Sequence, residues 1–181
     1  MNICVYCGSS SGKDPAIEEE ATKLGELMCQ REHNLVYGGA SRGIMGILAD
    51  SVMQNGGEVV GVIPKNLFQK EVAHQGITKL IAVDGMHQRK SIMADRAEAF
   101  IALPGGFGTL EELFEIITWN QIGLINKPVV VYNFNGYFDS LINMIDHAVE
   151  VGFIRPKNRK ILQVAETLEE CLRFCESVNK M

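Results

Sequence analysis

An apolar run over residues 99–103 stops at Pro104-Gly105-Gly106-Phe107-Gly108, and a segment with helical spacing starts at Leu110. Proline and three glycines between an apolar strand and an amphipathic helix make a strand-to-helix turn, the junction that punctuates a parallel sheet. Glycines let a ligand approach the main chain, and the first amides of the following helix lack internal partners and carry the positive end of its dipole. The turn therefore suits an anion. Thr109 and Glu112 also have the S/T-x-x-E spacing of a capping box, which would commit the glutamate to a backbone donor. Spacing alone leaves Glu112 with two roles, a structural cap or a carboxylate facing a bound phosphate ester.

The same alternation recurs along the chain. Strands are expected at 3–6, 35–37, 59–63, 80–83, 99–103, 129–132 and, more weakly, 161–164. Helices are expected at about 15–32, up to 54 after a glycine loop at 38–46, and at 85–98, 110–122, 137–151 and 168–178. The segment 65–76 is the least regular and most polar part of the middle. Strands that are apolar on both faces and alternate with helices predict an α/β fold. It should be a single Rossmann-like, doubly wound parallel sheet of about six or seven strands with helices on both faces, one nucleotide-binding domain over 1–181.

Composition narrows the partners. A net charge of −5 and a pI near 5.4 argue against a nucleic-acid scaffold, which needs clustered Lys and Arg. No apolar run is long enough for a membrane span and the N-terminus lacks the features of a signal peptide, so a cytoplasmic protein is expected. The five cysteines then read as reduced thiols. Cys4 and Cys7 form a C-x-x-C, but on a strand that spacing puts them on opposite faces. Cys171 and Cys175 share one face of the last helix. No metal site and no cofactor are expected.

In a doubly wound sheet the ligand lies beyond the carboxyl ends of the strands, at the switch point in strand order. Three loops leave such ends: Gly8-Ser9-Ser10, the stretch 38–46 that includes Gly39, and 105–109. None follows the strict dinucleotide or P-loop pattern, which disfavours a Rossmann dehydrogenase and a P-loop hydrolase. A pocket for a phosphorylated small molecule remains, with Glu71, Arg89, Lys90, Arg96 and Glu112 as candidate charged groups. Arg89 and Arg96 are seven apart on one helix and can share a face, or that face can be a solvated one pairing with Asp95 and Glu98.

These residues carry a resemblance. Pro104 to Glu112 matches the P-G-G-x-G-T-x-x-E signature of the LOG family, and Met86-His87-Gln88-Arg89-Lys90 matches its second motif. The likeness extends from Cys7-Gly8-Ser9-Ser10 through Tyr37-Gly38-Gly39 and Gly43-Ile44-Met45-Gly46 to Trp119-Asn120-Gln121-Ile122-Gly123. Members are cytokinin riboside 5'-monophosphate phosphoribohydrolases, often labelled lysine decarboxylases. The resemblance implies that an N6-substituted adenosine monophosphate, or AMP itself, is split into free base and ribose 5-phosphate by a homodimer with sites near the interface. It implies substrate contacts from Glu71, Met86, Lys90, Gly105, Gly106, Phe107, Gly108, Thr109, Leu110, Glu111 and Thr118, alongside Gly8, Ser9 and Gly39 from the other loops. Glu112 and an arginine, Arg89 or Arg96, would form the catalytic pair.

The residue types suit that chemistry. Breaking an N-glycosidic bond passes through an oxocarbenium-like ribosyl cation, which a carboxylate can stabilise while it orients water. Two other expectations compete. One is a non-catalytic nucleotide-binding or carrier protein, since related sheets bind ligands without turning them over. The other, a pyridoxal-phosphate lysine decarboxylase, is disfavoured because Lys90 adjoins an anion-binding arginine and no lysine sits in an apolar context.

Overall fold

The computed structural model describes residues 1–67 and 73–177. Seven strands form one sheet: β1 (Asn2–Tyr6), β2 (Asn34–Tyr37), β3 (Val59–Pro64), β4 (Lys79–Val83), β5 (Ala99–Ala102), β6 (Val129–Tyr132) and β7 (Leu162–Ala165). Their order is β4-β3-β2-β1-β5-β6-β7, and all six neighbouring pairs are parallel. The Rossmann-like expectation holds, including the weak strand at the C-terminal edge.

The helices are α1 (Ala16–Gln30), α2 (Gly43–Gln54), α3 (Met86–Arg96), α4 (Phe107–Gln121), α5 (Asp139–Glu150), α6 (Pro156–Arg159) and α7 (Leu168–Glu176). The strands feed two cores. Ile3 and Val5 of β1 face one cluster with Leu24, Leu48 and Leu172. Cys4 and Tyr6 face the other, with Met93, Leu113 and Ile145. Central strands buried on both sides explain why their sequence reads as unbroken apolar runs instead of alternating ones. Cys4 and Cys7 accordingly lie in different cores, and no cysteine is in a disulfide among the described residues.

One local expectation needs correction. The helix expected from Leu110 starts three residues earlier, so Phe107 and Gly108 belong to its first turn. The 3-10 turn Phe134–Gly136 before α5 and the short α6 carry no periodicity long enough to be read. In the irregular segment, Ala73 bridges Ala40 in antiparallel fashion, while Glu71 lies outside the described residues.

Because the chain steps from β1 outward to β4 and then returns to place β5 on the other side of β1, the switch point falls between β1 and β5. The loops leaving β1 and β5 diverge there, and the loop leaving β2 lies beside them.

Candidate functional site

The three loops touch. The Gly8 amide donates to the Pro104 carbonyl at 3.3 Å, and the Met45 amide at the start of α2 donates to the Gly8 carbonyl at 3.3 Å. A Cβ on Gly105 would lie 2.9 Å from the Gly8 nitrogen and 2.1 Å from Thr109 Oγ1. Only glycine lets the turns after β1 and β5 come this close.

Two cavities open around them. The smaller, about 300 Å³, is lined by Cys7, Gly8, Ser9, Met45, Leu67, Met86, Arg89 and, at the start of α4, Gly106 to Thr109, Glu111 and Glu112. The larger, about 550 Å³, lies on the other side of the Pro104–Gly106 turn, against residues 8–14, Ile17, Ile44, Phe134, Asn135 and Tyr137. Gly8, Ser9 and Gly106 border both.

Glu112 is not a cap. Gly106 occupies the N-cap position of α4 with no side-chain bond to the helix, and Thr109 is buried in the first turn. One further turn along, Glu112 is buried and faces Arg89, with Oε1 and Nη1 3.7 Å apart. The proposed capping box fails because the helix starts at Phe107, which puts Thr109 inside it. Among the described residues, the amides of Gly106, Phe107, Gly108 and Thr109 have no protein acceptor. A helix start left open in this way has the dipole and the orphan donors that favour an anion.

Arg89 is fixed from behind. Its Nε donates to the Val62 carbonyl at 3.0 Å and its Nη2 to the Gly38 carbonyl at 3.1 Å, tying α3 to the ends of β3 and β2. A side chain on Gly38 would collide with this guanidinium, its Cβ 2.1 Å from Nη2. Two carbonyls orient the plane, and the remaining Nη1 turns to Glu112. Burial pushes the Glu112 carboxyl up from its usual 4.5 to about 7, against the pull of Arg89. Such a carboxyl changes charge near neutral pH, a property of groups that handle protons.

The other candidates separate. Arg96 is exposed at the last turn of α3, where its carbonyl accepts from the Asn2 side chain at 3.2 Å, beside the start of β1. It is thus at the opposite end of the sheet from the cavities. Lys90 is buried, but its ammonium lies 2.5 Å from Glu111 and 3.0 Å from Glu115. Burial opposes the charge, yet the two carboxylates outweigh it and hold the amine above its usual range.

Gly39 has a positive φ of 81° and packs on Ile63 and Leu80, so it shapes the loop and lines neither cavity. Leu110 points to the core and Thr118 is exposed on α4, its hydroxyl donating to the Phe114 carbonyl. Sequence reasoning missed the carbonyls of Gly38 and Val62, Leu67, and Tyr137. Backbone acceptors leave no trace in residue type, but a glycine directly after β2 was a usable signal for Gly38.

Sheet and cleft together define a class, the Rossmann-like α/β proteins with a ligand cleft at the switch point beyond the strand ends. Within that class, the chain belongs to the LOG family. The family model described as possible lysine decarboxylase matches residues 45–175. The chain is 51% identical to the cytokinin riboside 5'-monophosphate phosphoribohydrolase LOG7 of Arabidopsis thaliana over 96% of its own length and 80% of that protein. It is 48% identical to LOG3 of the same plant over 96% and 81% of the two chains. The molybdenum cofactor carrier protein of Chlamydomonas reinhardtii superposes with a TM-score of 0.75, covering 99% of this chain and 98% of that one, at 18% identity. Likeness at that identity establishes the fold alone.

Pyridoxal phosphate needs a lysine whose amine can be freed to form a Schiff base. Lys90 is clamped as an ammonium between two carboxylates, and among the described residues the only lysine lining either cavity is Lys13 on the rim of the larger one. The residues present do not fit that cofactor.

Proposed function

We propose that this chain hydrolyses the N-glycosidic bond of adenosine 5'-monophosphates, N6-substituted or plain, releasing free base and ribose 5-phosphate. The observation that carries the reading is the buried Arg89–Glu112 pair set one helical turn inside the open start of α4. Glu112 follows Gly108 by four residues, so it lies on the same helix face about 6 Å deeper. A 5'-phosphate on the amides of Gly106 to Thr109 then places the ribose over Glu112. The carboxylate faces the positive charge that grows at the anomeric carbon and orients the attacking water, while Arg89 holds it in position and favours its ionised form. Phosphate binding far from the breaking bond supplies the energy that holds the sugar there.

The test is chromatographic. Incubation with AMP and with N6-isopentenyl-AMP should release adenine or the substituted base together with ribose 5-phosphate. Adenosine, lacking the phosphate, should be cleaved with kcat/KM lower by about 10²-fold or more. Tight AMP binding without any base release would favour a carrier instead.

The reading extends to a homodimer. Phe107, Glu111, Phe114, Thr118 and Ile122 form one exposed stripe along α4 and its end, with Phe107 93% exposed and Leu124, just beyond, 67% exposed. Large apolar side chains grouped on one exposed face mark an interaction surface. Phe107 also lines the smaller cavity, so a second copy packed on this stripe would stand at the edge of the site. That arrangement gives Thr118 a route to substrate which it lacks within one chain. Light scattering behind gel filtration should give twice the chain mass, and Phe114→Glu should shift it toward the monomer. A monomer at micromolar concentration for the unaltered protein would refute the assembly.

A further inference from the structure

Tyr137 touches the phosphate turn from behind. Its hydroxyl donates to the Gly105 carbonyl at 2.5 Å, and its ring lines the larger cavity and not the one that holds Arg89 and Glu112. The support beneath it is rigid. Buried Asn133 accepts from the Phe138 amide at 2.8 Å and donates to Asp139 at 2.8 Å and Glu166 at 3.2 Å. Between them Asn135 holds a positive φ of 50°, which is strained for a residue with a side chain, and its amide reaches Asp14 at 3.3 Å. Tyr137 packs edge-on against buried Phe138, ring centroids 4.9 Å apart.

In a trans peptide the carbonyl of one residue and the N–H of the next point in opposite directions. A hydroxyl that fixes the Gly105 carbonyl toward the larger cavity therefore fixes the Gly106 N–H toward the smaller one. Without such a restraint a Gly–Gly peptide turns over readily, because neither residue has a Cβ to oppose it. The flipped form would present a carbonyl oxygen to a bound anion. Gly8, whose amide bonds Pro104, restrains the turn one residue earlier and leaves the 105–106 peptide to Tyr137.

We propose that Tyr137 is a positioning residue whose hydroxyl locks the Gly105–Gly106 peptide so that the Gly106 amide faces the substrate phosphate. The inference rests on the phosphate end of the reading above and is independent of whether the glycosidic bond is cleaved. Tyr137→Phe removes one oxygen and keeps the ring. Its Kd for ribose 5-phosphate and for AMP should rise about tenfold, with Kd for adenosine and the thermal midpoint nearly unchanged. In ¹⁵N–¹H spectra the Gly106 amide of the unaltered protein should shift strongly on adding ribose 5-phosphate, and this shift should shrink in Tyr137→Phe. Equal losses for AMP and adenosine, or a large fall in the thermal midpoint, would mean a merely structural role and overturn the proposal. So would unchanged phosphate affinity in a folded variant, or an unaltered protein that binds ribose 5-phosphate no better than ribose. Failure of base release with phosphate binding intact would remove the hydrolase reading and leave this one standing.

Discussion

Glu112→Gln should abolish base release, lowering kcat by about 10³-fold or more, while AMP still binds. Gln matches the shape of the protonated acid but carries no charge to set against the ribosyl cation. The same substitution should stabilise the ligand-free fold at alkaline pH. Glu112 is buried, and its carboxyl is raised from 4.5 to about 7, chiefly by desolvation. For an acid whose folded value lies above its unfolded one, the stabilising form is the protonated one. That contribution is complete below about 4.5 and is lost as pH rises through about 7.

A displacement of that size is worth about 3 kcal/mol. Denaturant titration should therefore find Glu112→Gln more stable than the unaltered protein at pH 8, and nearly equal at pH 4.5. Activity runs the other way. The working form is the carboxylate, so kcat/KM for the unaltered protein should fall about tenfold per pH unit below about 7. Full activity in Glu112→Gln would remove Glu112 from the chemistry.

Arg89→Ala should cost stability and activity together. The guanidinium joins the carbonyls of Val62 and Gly38 to Glu112, so its loss leaves two strand-end acceptors and a buried carboxyl without their partner. Removing one member of a buried pair costs about 3–5 kcal/mol. Base release should become undetectable. Because such a variant can fail to fold, Arg89→Lys is the informative companion. Lysine keeps the charge but cannot hold two carbonyls and a carboxylate in one plane, so a folded protein with activity reduced about 10²-fold is expected. Thermal denaturation and base-release assays decide both. Arg96→Ala should leave activity unaltered, since that side chain stands at the far end of α3.

The two arginines show where sequence stops. They are seven residues apart and so share a face, but seven residues of helix also span about 10 Å along its axis. That length separates the carboxyl ends of the strands, where Arg89 meets Glu112, from the amino ends, where Arg96 meets Asn2. A periodicity fixes rotation about an axis and says nothing of which end faces the site. Glu112 was ambiguous for a related reason. The S/T-x-x-E spacing is shared by a cap and by an interior turn, and only the observed start of α4 at Phe107 tells them apart.

The fold was largely legible. Seven short apolar runs separated by helical periods predict a covered parallel sheet, because burial on both faces removes the alternation a half-exposed strand would show. The glycine turns were legible too, since their residue types report close backbone approach. The short helical turn at Phe134–Gly136 and the contact from Tyr137 to Gly105 were not, because both depend on one element resting against another far along the chain.

Local sequence thus determined the sheet, its glycine turns and the acidic and basic residues available beside them. Tertiary structure alone decided that Arg89 and not Arg96 meets Glu112, that Lys90 is neutralised by Glu111 and Glu115, and that the Glu112 carboxyl sits near neutrality. The physical reason is that hydrogen-bonding period and apolar pattern act within a few residues. Burial and charge pairing are properties of the space where distant segments meet.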